Sequence, residues 1–160
     1  MKILIIHQHF LEENDGGGSR WNEIARIWTE FGHKVQIIAG MVHPNGYDKK
    51  NEYKGKYFVH KKHNKIMVLR CHVSGLYNKN YLGRLWAYFS FMFSSFFGAI
   101  FKLKSNYDLI LVTSPPIVVG LSGYLISKIK RIPLLFEVRD LWPESAIDTG
   151  VVSNRIIIKI

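Results

Sequence analysis

At 160 residues, 48% apolar and 21% charged, the chain is long enough for one buried core and too apolar for a disordered tail. Its single cysteine, Cys71, excludes an internal disulfide framework and a multi-cysteine zinc site, and suits a reducing cytoplasmic setting. Lys and Arg number 22 against 12 acids, a net charge of +10 that favours anionic partners: phosphorylated substrates, anionic lipid or nucleic acid.

Lys2 to Ile6 is a short β-branched run, the pattern of a buried parallel strand, and the start MKILIIHQHF reads as that strand rather than as a signal peptide. Asn14 to Ser19, with Gly16, Gly17 and Gly18, breaks the run. Trp21, Ile24, Ala25, Trp28 and Phe31 then share one helical face, with Ser19 as N-cap and Gly32 at the C′ position. Val35 to Ala39 predicts a second strand, completing a right-handed βαβ unit. His43 to Lys56 is polar and loop-like. Tyr57 to His60 and Ile66 to Val73 predict strands joined by a basic turn, Lys61 to Lys65. Tyr107 to Thr113 is a strong buried strand, punctuated by Ser114-Pro115-Pro116. Ile117 to Ile129 predicts an apolar helix with Pro116 in its first turn. Pro133 to Val138 predicts the last strand, with a loop over residues 140–144. Asn154 to Ile160 reads as a helix only begun, and its uncapped apolar run suggests truncation inside a larger protein. Alternating strands and helices predict an α/β class: a Rossmann-like, doubly wound, mainly parallel sheet forming one domain over residues 1–160.

Leu85 to Leu103 holds one charge, Lys102, and eight aromatic residues. It approaches the ~20 residues of a spanning helix. Its serines, Gly98 and its place between strands argue instead for a crossover helix, apolar nearly all round. Its outer face needs a cover, either another domain or a membrane surface. The lysine-rich segment from Lys49 to Lys65 is either a solvated loop or a contact for lipid head groups.

Glycines between a first strand and a helix let phosphate approach backbone amides at the positive end of the helix dipole. Here the turn is Gly16-Gly17-Gly18-Ser19-Arg20, and Arg20 offers a bidentate phosphate contact. The alternative is a tight turn before an ordinary capped helix. Trp21 replaces the third glycine of the dinucleotide fingerprint, and no acid ends the second strand, so an NAD enzyme is disfavoured. No G-K-[ST] follows, which disfavours a P-loop NTPase.

Ligands of doubly wound folds sit beyond the carboxyl ends of the strands. The residues predicted there are His7, His9, Ser114, Glu137, Arg139, Asp140 and Glu144. Arg139 would keep Asp140 ionised; the same charges also read as a structural ion pair fixing a loop around Trp142. His60 and His63 lack a carboxylate to complete a metal set. Cys71 reads as a core residue. Nucleic-acid binding rests on charge alone, because the aromatics lie in apolar runs, so no nucleic-acid partner is expected.

The glycine run, the helix from Trp21 and Phe31-Gly32-His33-Lys34-Val35 together resemble the start of family-4 retaining glycosyltransferases. Ser114-Pro115-Pro116 and the run from Glu137 to Ser145, EVRDLWPES, resemble the subgroup related to fucosamine transferases of capsule and O-antigen assembly. The resemblance implies a GT-B architecture, of which this chain is the amino-terminal, acceptor-side domain; the nucleotide-sugar domain lies outside it. By position, Gly17, Gly18 and Arg20 would meet the donor diphosphate. Arg139 and Asp140 would stand near the reacting sugar, with arginine where relatives carry histidine. His7, Ser114, Glu137 and Glu144 become acceptor-side residues. The implied partners are a nucleotide-sugar donor, a polyprenyl-diphosphate-linked saccharide and an anionic membrane surface at the inner face, reached through residues 85–103 and 49–65. Neither a metal nor a cofactor is implied. The competing expectation is a non-catalytic truncated domain that docks on a membrane or protein.

Overall fold

The computed structural model describes residues 1–12, 15, 19–42, 51–104 and 106–139. These residues form six strands and three helices: β1 Lys2–Ile6, α1 Arg20–Glu30, β2 Lys34–Gly40, β3 Phe58–His63, β4 Ile66–Cys71, α2 Tyr81–Phe101, β5 Leu109–Thr113, α3 Val119–Lys130 and β6 Leu134–Glu137, with a short 3-10 turn at Asn51–Tyr53. The strands make one sheet in the order β3-β4-β2-β1-β5-β6. All pairings are parallel except β3 with β4. The fold is Rossmann-like and doubly wound.

β1 lies between β2 and β5, with Ile5 beside Ile37 on one side and Leu111 on the other. Successive side chains alternate between the two faces. Ile3 and Ile5 pack with Val35, Ile37 and Leu111 under Trp21 and Ala25 of α1. Leu4 and Ile6 pack with Ile38, Leu69 and Val112 under Phe91 of α2 and Ile126 of α3. Apolar on both faces, the strand is buried in the centre of the molecule. The chain winds outward from β1 through β2 to the edge strand β3, turns back into β4, and α2 then carries it to β5 on the other side of β1. That reversal puts the topological switch point between β1 and β5.

Local signals explain the element ends. Gly32, at φ +84, closes α1: the Gly32 amide donates to the Thr29 carbonyl, and the His33 amide to that of Trp28. Ser19 occupies the N-cap position but its side chain makes no cap hydrogen bond, unlike the cap expected of a serine there. Asn80 does cap α2, accepting from the Gly83 amide at 2.7 Å.

The basic turn is shorter than its composition suggests. β3 runs on through Lys61, Lys62 and His63, each paired across β4, and Asn64 alone takes a left-handed φ of 53. Backbone pairing outweighs the lysines' preference for solvent, because β3 is an edge strand whose side chains reach water. Lys61 also pairs with Glu52 at 2.6 Å. α3 begins at Val119, two residues later than the apolar run suggests, with the Val119 amide donating to the Pro116 carbonyl.

Among the described residues no helix is long and apolar enough to cross a membrane. α2 is not uniformly packed: its buried positions are mostly small, including Gly83, Ala87, Ser94, Ser95, Gly98 and Ala99. The small face allows close approach to the sheet. A Cβ at Gly98 would fall 2.9 Å from Cys71 Sγ, and one at Gly123 of α3 would fall 2.2 Å from Val112 Cγ2.

Candidate functional site

The carboxyl ends of β1, β5 and β6 supply the site. His7 follows β1, Ser114 follows β5, and Glu137 ends β6. Arg20 opens α1, the helix that leaves the same edge. Arg20 and Glu137, far apart in sequence, form an ion pair across that edge. The start of α1 and the end of β6 therefore share one rim.

Ser114 ties the two later strands together. Its amide donates to the Glu137 carbonyl at 3.1 Å, and its Oγ accepts from the Arg139 amide at 2.8 Å. The hydroxyl thus serves to place the backbone of Arg139, a role the sequence alone did not indicate. The Ser114-Pro115 and Pro115-Pro116 peptide bonds are both cis.

His7 is buried, and its Nδ1 has no hydrogen-bond partner among the described residues. Burial, then His9, Arg139, Arg20 and Arg70, lower its pKa from 6.5 to about 3. Burial also lowers His9 to about 4. Their rings lie 6.3 Å apart, and the His7 ring is 6.4 Å from that of Trp21. His7 is therefore neutral at physiological pH, amid three guanidinium groups. A neutral imidazole there can exchange hydrogen bonds with a hydroxyl, while the cations attract phosphate.

Trp21 Nε1, both amide atoms of Gln8, and Glu137 Oε2 are also buried with no hydrogen-bond partner among the described residues. Buried polar groups are ordinarily satisfied, so their concentration around one edge marks a polar site. Nothing in the sequence singles out Gln8, and Trp21 reads there only as one of the apolar residues on a helix face.

A second polar cluster supports the loop that follows β1. Arg70, buried on β4, donates from Nη1 to the Phe10 carbonyl at 2.7 Å and the Gly40 carbonyl at 3.1 Å. Its Nε lies 3.4 Å from the Glu12 carboxylate, which also accepts from the Tyr53 hydroxyl. Burial lowers the Arg70 pKa, with Glu12 opposing it. Burial and then Glu12 raise that of Tyr53. An arginine inside the apolar run IMVLRC was the available signal for this cluster.

Of the predicted site residues, His7, Arg20, Ser114, Glu137 and Arg139 meet at this edge. Gly17, Gly18, Asp140 and Glu144 lie outside the described residues, as do the EVRDLWPES residues beyond Arg139. Cys71 is buried in the core, and burial raises its thiol pKa. A cavity of about 290 Å³ lies at the opposite, amino edge, lined by Met1, Lys2, Gly32, Lys34, Asn106 and Asp108. It is remote from the switch point, where doubly wound folds bind ligands.

No protein-family model matches the chain, and no curated protein is detectably similar to it. Among solved structures, the C-terminal domain of a hydrogenase from Pyrococcus furiosus is similar: 17% identity over 85% of this chain and 89% of that one, with a TM-score of 0.51. At that identity the likeness shows the shared α/β fold alone.

Proposed function

We propose that this chain is the acceptor-side half of a retaining glycosyltransferase. It would pass a sugar from a nucleotide-sugar donor to a polyprenyl-diphosphate-linked saccharide, peripherally at the inner membrane face, in bacterial surface polysaccharide synthesis. The observation supporting this reading most strongly is the Arg20–Glu137 ion pair. It joins the helix start next to the glycine run to the corner holding Arg139, beside the switch point.

Each residue then has a physical task. The α1 N-terminus and Arg20 would bind the donor diphosphate, with Gly17 and Gly18 admitting it to the backbone. Neutral His7 would orient an acceptor hydroxyl. Ser114 would hold Arg139 in place, and Arg139 with Asp140 would flank the reacting sugar. Glu137 and Glu144 would meet the acceptor. In a same-face transfer the departing diphosphate takes the proton of the attacking hydroxyl. The protein contributes positioning and cations where phosphate charge develops.

The test is transfer from a panel of radiolabelled nucleotide sugars to a polyprenyl-diphosphate-linked saccharide, using the polypeptide that contains residues 1–160. The reading requires label in the lipid fraction and, by NMR, a product with the donor's anomeric configuration. Inversion, or no transfer from any donor by folded protein, would refute it.

A further inference from the structure

The α2–α3 layer is apolar on the wrong side for a helix pair that only covers a sheet. Such helices normally point their large apolar residues inward and polar ones outward. Here the inward positions of α2 are chiefly glycine, alanine and serine, and Ser95 Oγ meets Ser122 Oγ of α3 at 2.9 Å beneath the surface. Leu82, Trp86, Phe89, Phe93, Phe97 and Phe101 recur at three- and four-residue steps along the outer face. Leu82 is 72% exposed, Trp86 53% and Phe101 67%. Leu121, Tyr124 and Ile129 continue the surface on α3, with Ile129 59% exposed.

The charges around this face have one sign. Residues 76–104 and 117–132 contain no Asp or Glu. Lys102, Lys104, Lys128, Lys130 and Arg131 collect where α2 and α3 end, and Lys130 Nζ donates to the Leu103 carbonyl at 3.3 Å, bringing the two ends together. A helix of this length lies about 30 Å along a surface. Large apolar and aromatic residues with a cationic rim match an interface helix on anionic lipid. With no Asp or Glu in these two segments, a second copy docked through this face would offer the cations no counter-charge.

We infer that the outer face of α2 and α3 is a docking surface for an anionic lipid bilayer, on which both helices lie flat. It extends the inner-face placement proposed above from residues 85–103 to a two-helix surface. α3 joins it, and the aromatic stripe rather than the 49–65 segment carries it.

Flotation with phosphatidylcholine vesicles, with and without 30% phosphatidylglycerol, tests this directly. Wild-type protein is expected to float with the anionic vesicles and at least about tenfold less with the neutral ones. Phe93→Glu with Phe97→Glu should abolish flotation while leaving the thermal midpoint and nucleotide-sugar binding intact, since both side chains are half exposed. Lys102→Glu with Lys128→Glu should weaken flotation without touching an aromatic residue. Wild-type protein that stays down with anionic vesicles, or a Phe93/Phe97 variant that floats like wild type, overturns the inference. So does wild-type dimerisation without flotation that the Phe93/Phe97 variant relieves. Failure here leaves sugar transfer standing, because nucleotide-sugar binding is read separately.

Discussion

Arg20, the first residue of α1, and Glu137, the last of β6, form an ion pair at the carboxyl edge of the sheet. Both side chains are substantially exposed, so the pair contributes little to folding, below about 1 kcal/mol. Its importance is positional: it marks where the first crossover and the last strand meet. Glu137→Gln and Arg20→Ala should each leave the urea midpoint nearly unchanged. Under the proposed function, Arg20→Ala should reduce sugar transfer at least about tenfold, because the proposed donor-phosphate contact is lost. Equal rates for Arg20→Ala and wild type would remove Arg20 from the proposed donor site.

Arg70 should behave in the opposite way. Arg70→Met strips the carbonyls of Phe10 and Gly40 of their donor and leaves Glu12 without its buried counter-charge. Breaking a buried pair by removing one partner costs about 3–5 kcal/mol. Urea denaturation should show a loss of that order. A loss below about 1 kcal/mol would mean that Arg70 is not the anchor of the loop after β1.

Helix α3 sits on the sheet at a glycine. A Cβ at Gly123 would lie 2.2 Å from Val112 Cγ2, whereas one at Gly75 would meet nothing within 4 Å. Gly123→Ala should destabilise by about 1–3 kcal/mol through overpacking, and Gly75→Ala should be near neutral. Similar melting temperatures for the two variants would contradict the close α3–β5 contact.

Acid should weaken the fold through the buried histidines. Unfolded, an imidazole takes its proton near pH 6.5; folded, His7 does so near pH 3 and His9 near pH 4. Both pKa values are depressed in the folded state, so the unfolded chain binds more protons as pH falls from 6.5. Stability is full above that pH and declines toward the folded values, each imidazole contributing at most about 1.4 kcal/mol per pH unit. Urea melts between pH 6.5 and 5 should show this decline, and His7→Asn should flatten it. An unchanged slope in the variant would show that His7 titrates in the folded protein as it does in the unfolded chain.

The fold was readable because its signals are local and repeated. β-branched runs at β1, β2 and β5, and the glycine after Phe31, mark their elements by period and φ requirement alone. Lys61 and Lys62 misled, since a strand edge accepts lysines that composition assigns to a turn. The placement of His7, Ser114 and Glu137 at one edge follows from the rule that strand ends gather ligands, and that of Arg20 from the glycine turn that opens the first helix. Gln8, Trp21 and the Glu12–Arg70–Tyr53 cluster did not follow, because whether a buried polar atom has a partner depends on contacts between distant segments. The sorting of α2 into a small inner face and a large outer face is not legible for a related reason: a helix apolar on every side has no face that sequence can orient.

The most direct measurement is a ¹H–¹⁵N NMR titration of the chain with a nucleotide-sugar panel and a water-soluble diphosphate-linked saccharide. The proposed site predicts shifts concentrated at the Trp21 indole N–H and the amides of Gln8, Arg20, Ser114 and Arg139. Shifts confined to the amino edge around Lys2 and Asp108, or none with any sugar nucleotide or acceptor, would contradict a sugar-transfer site between β1 and β5.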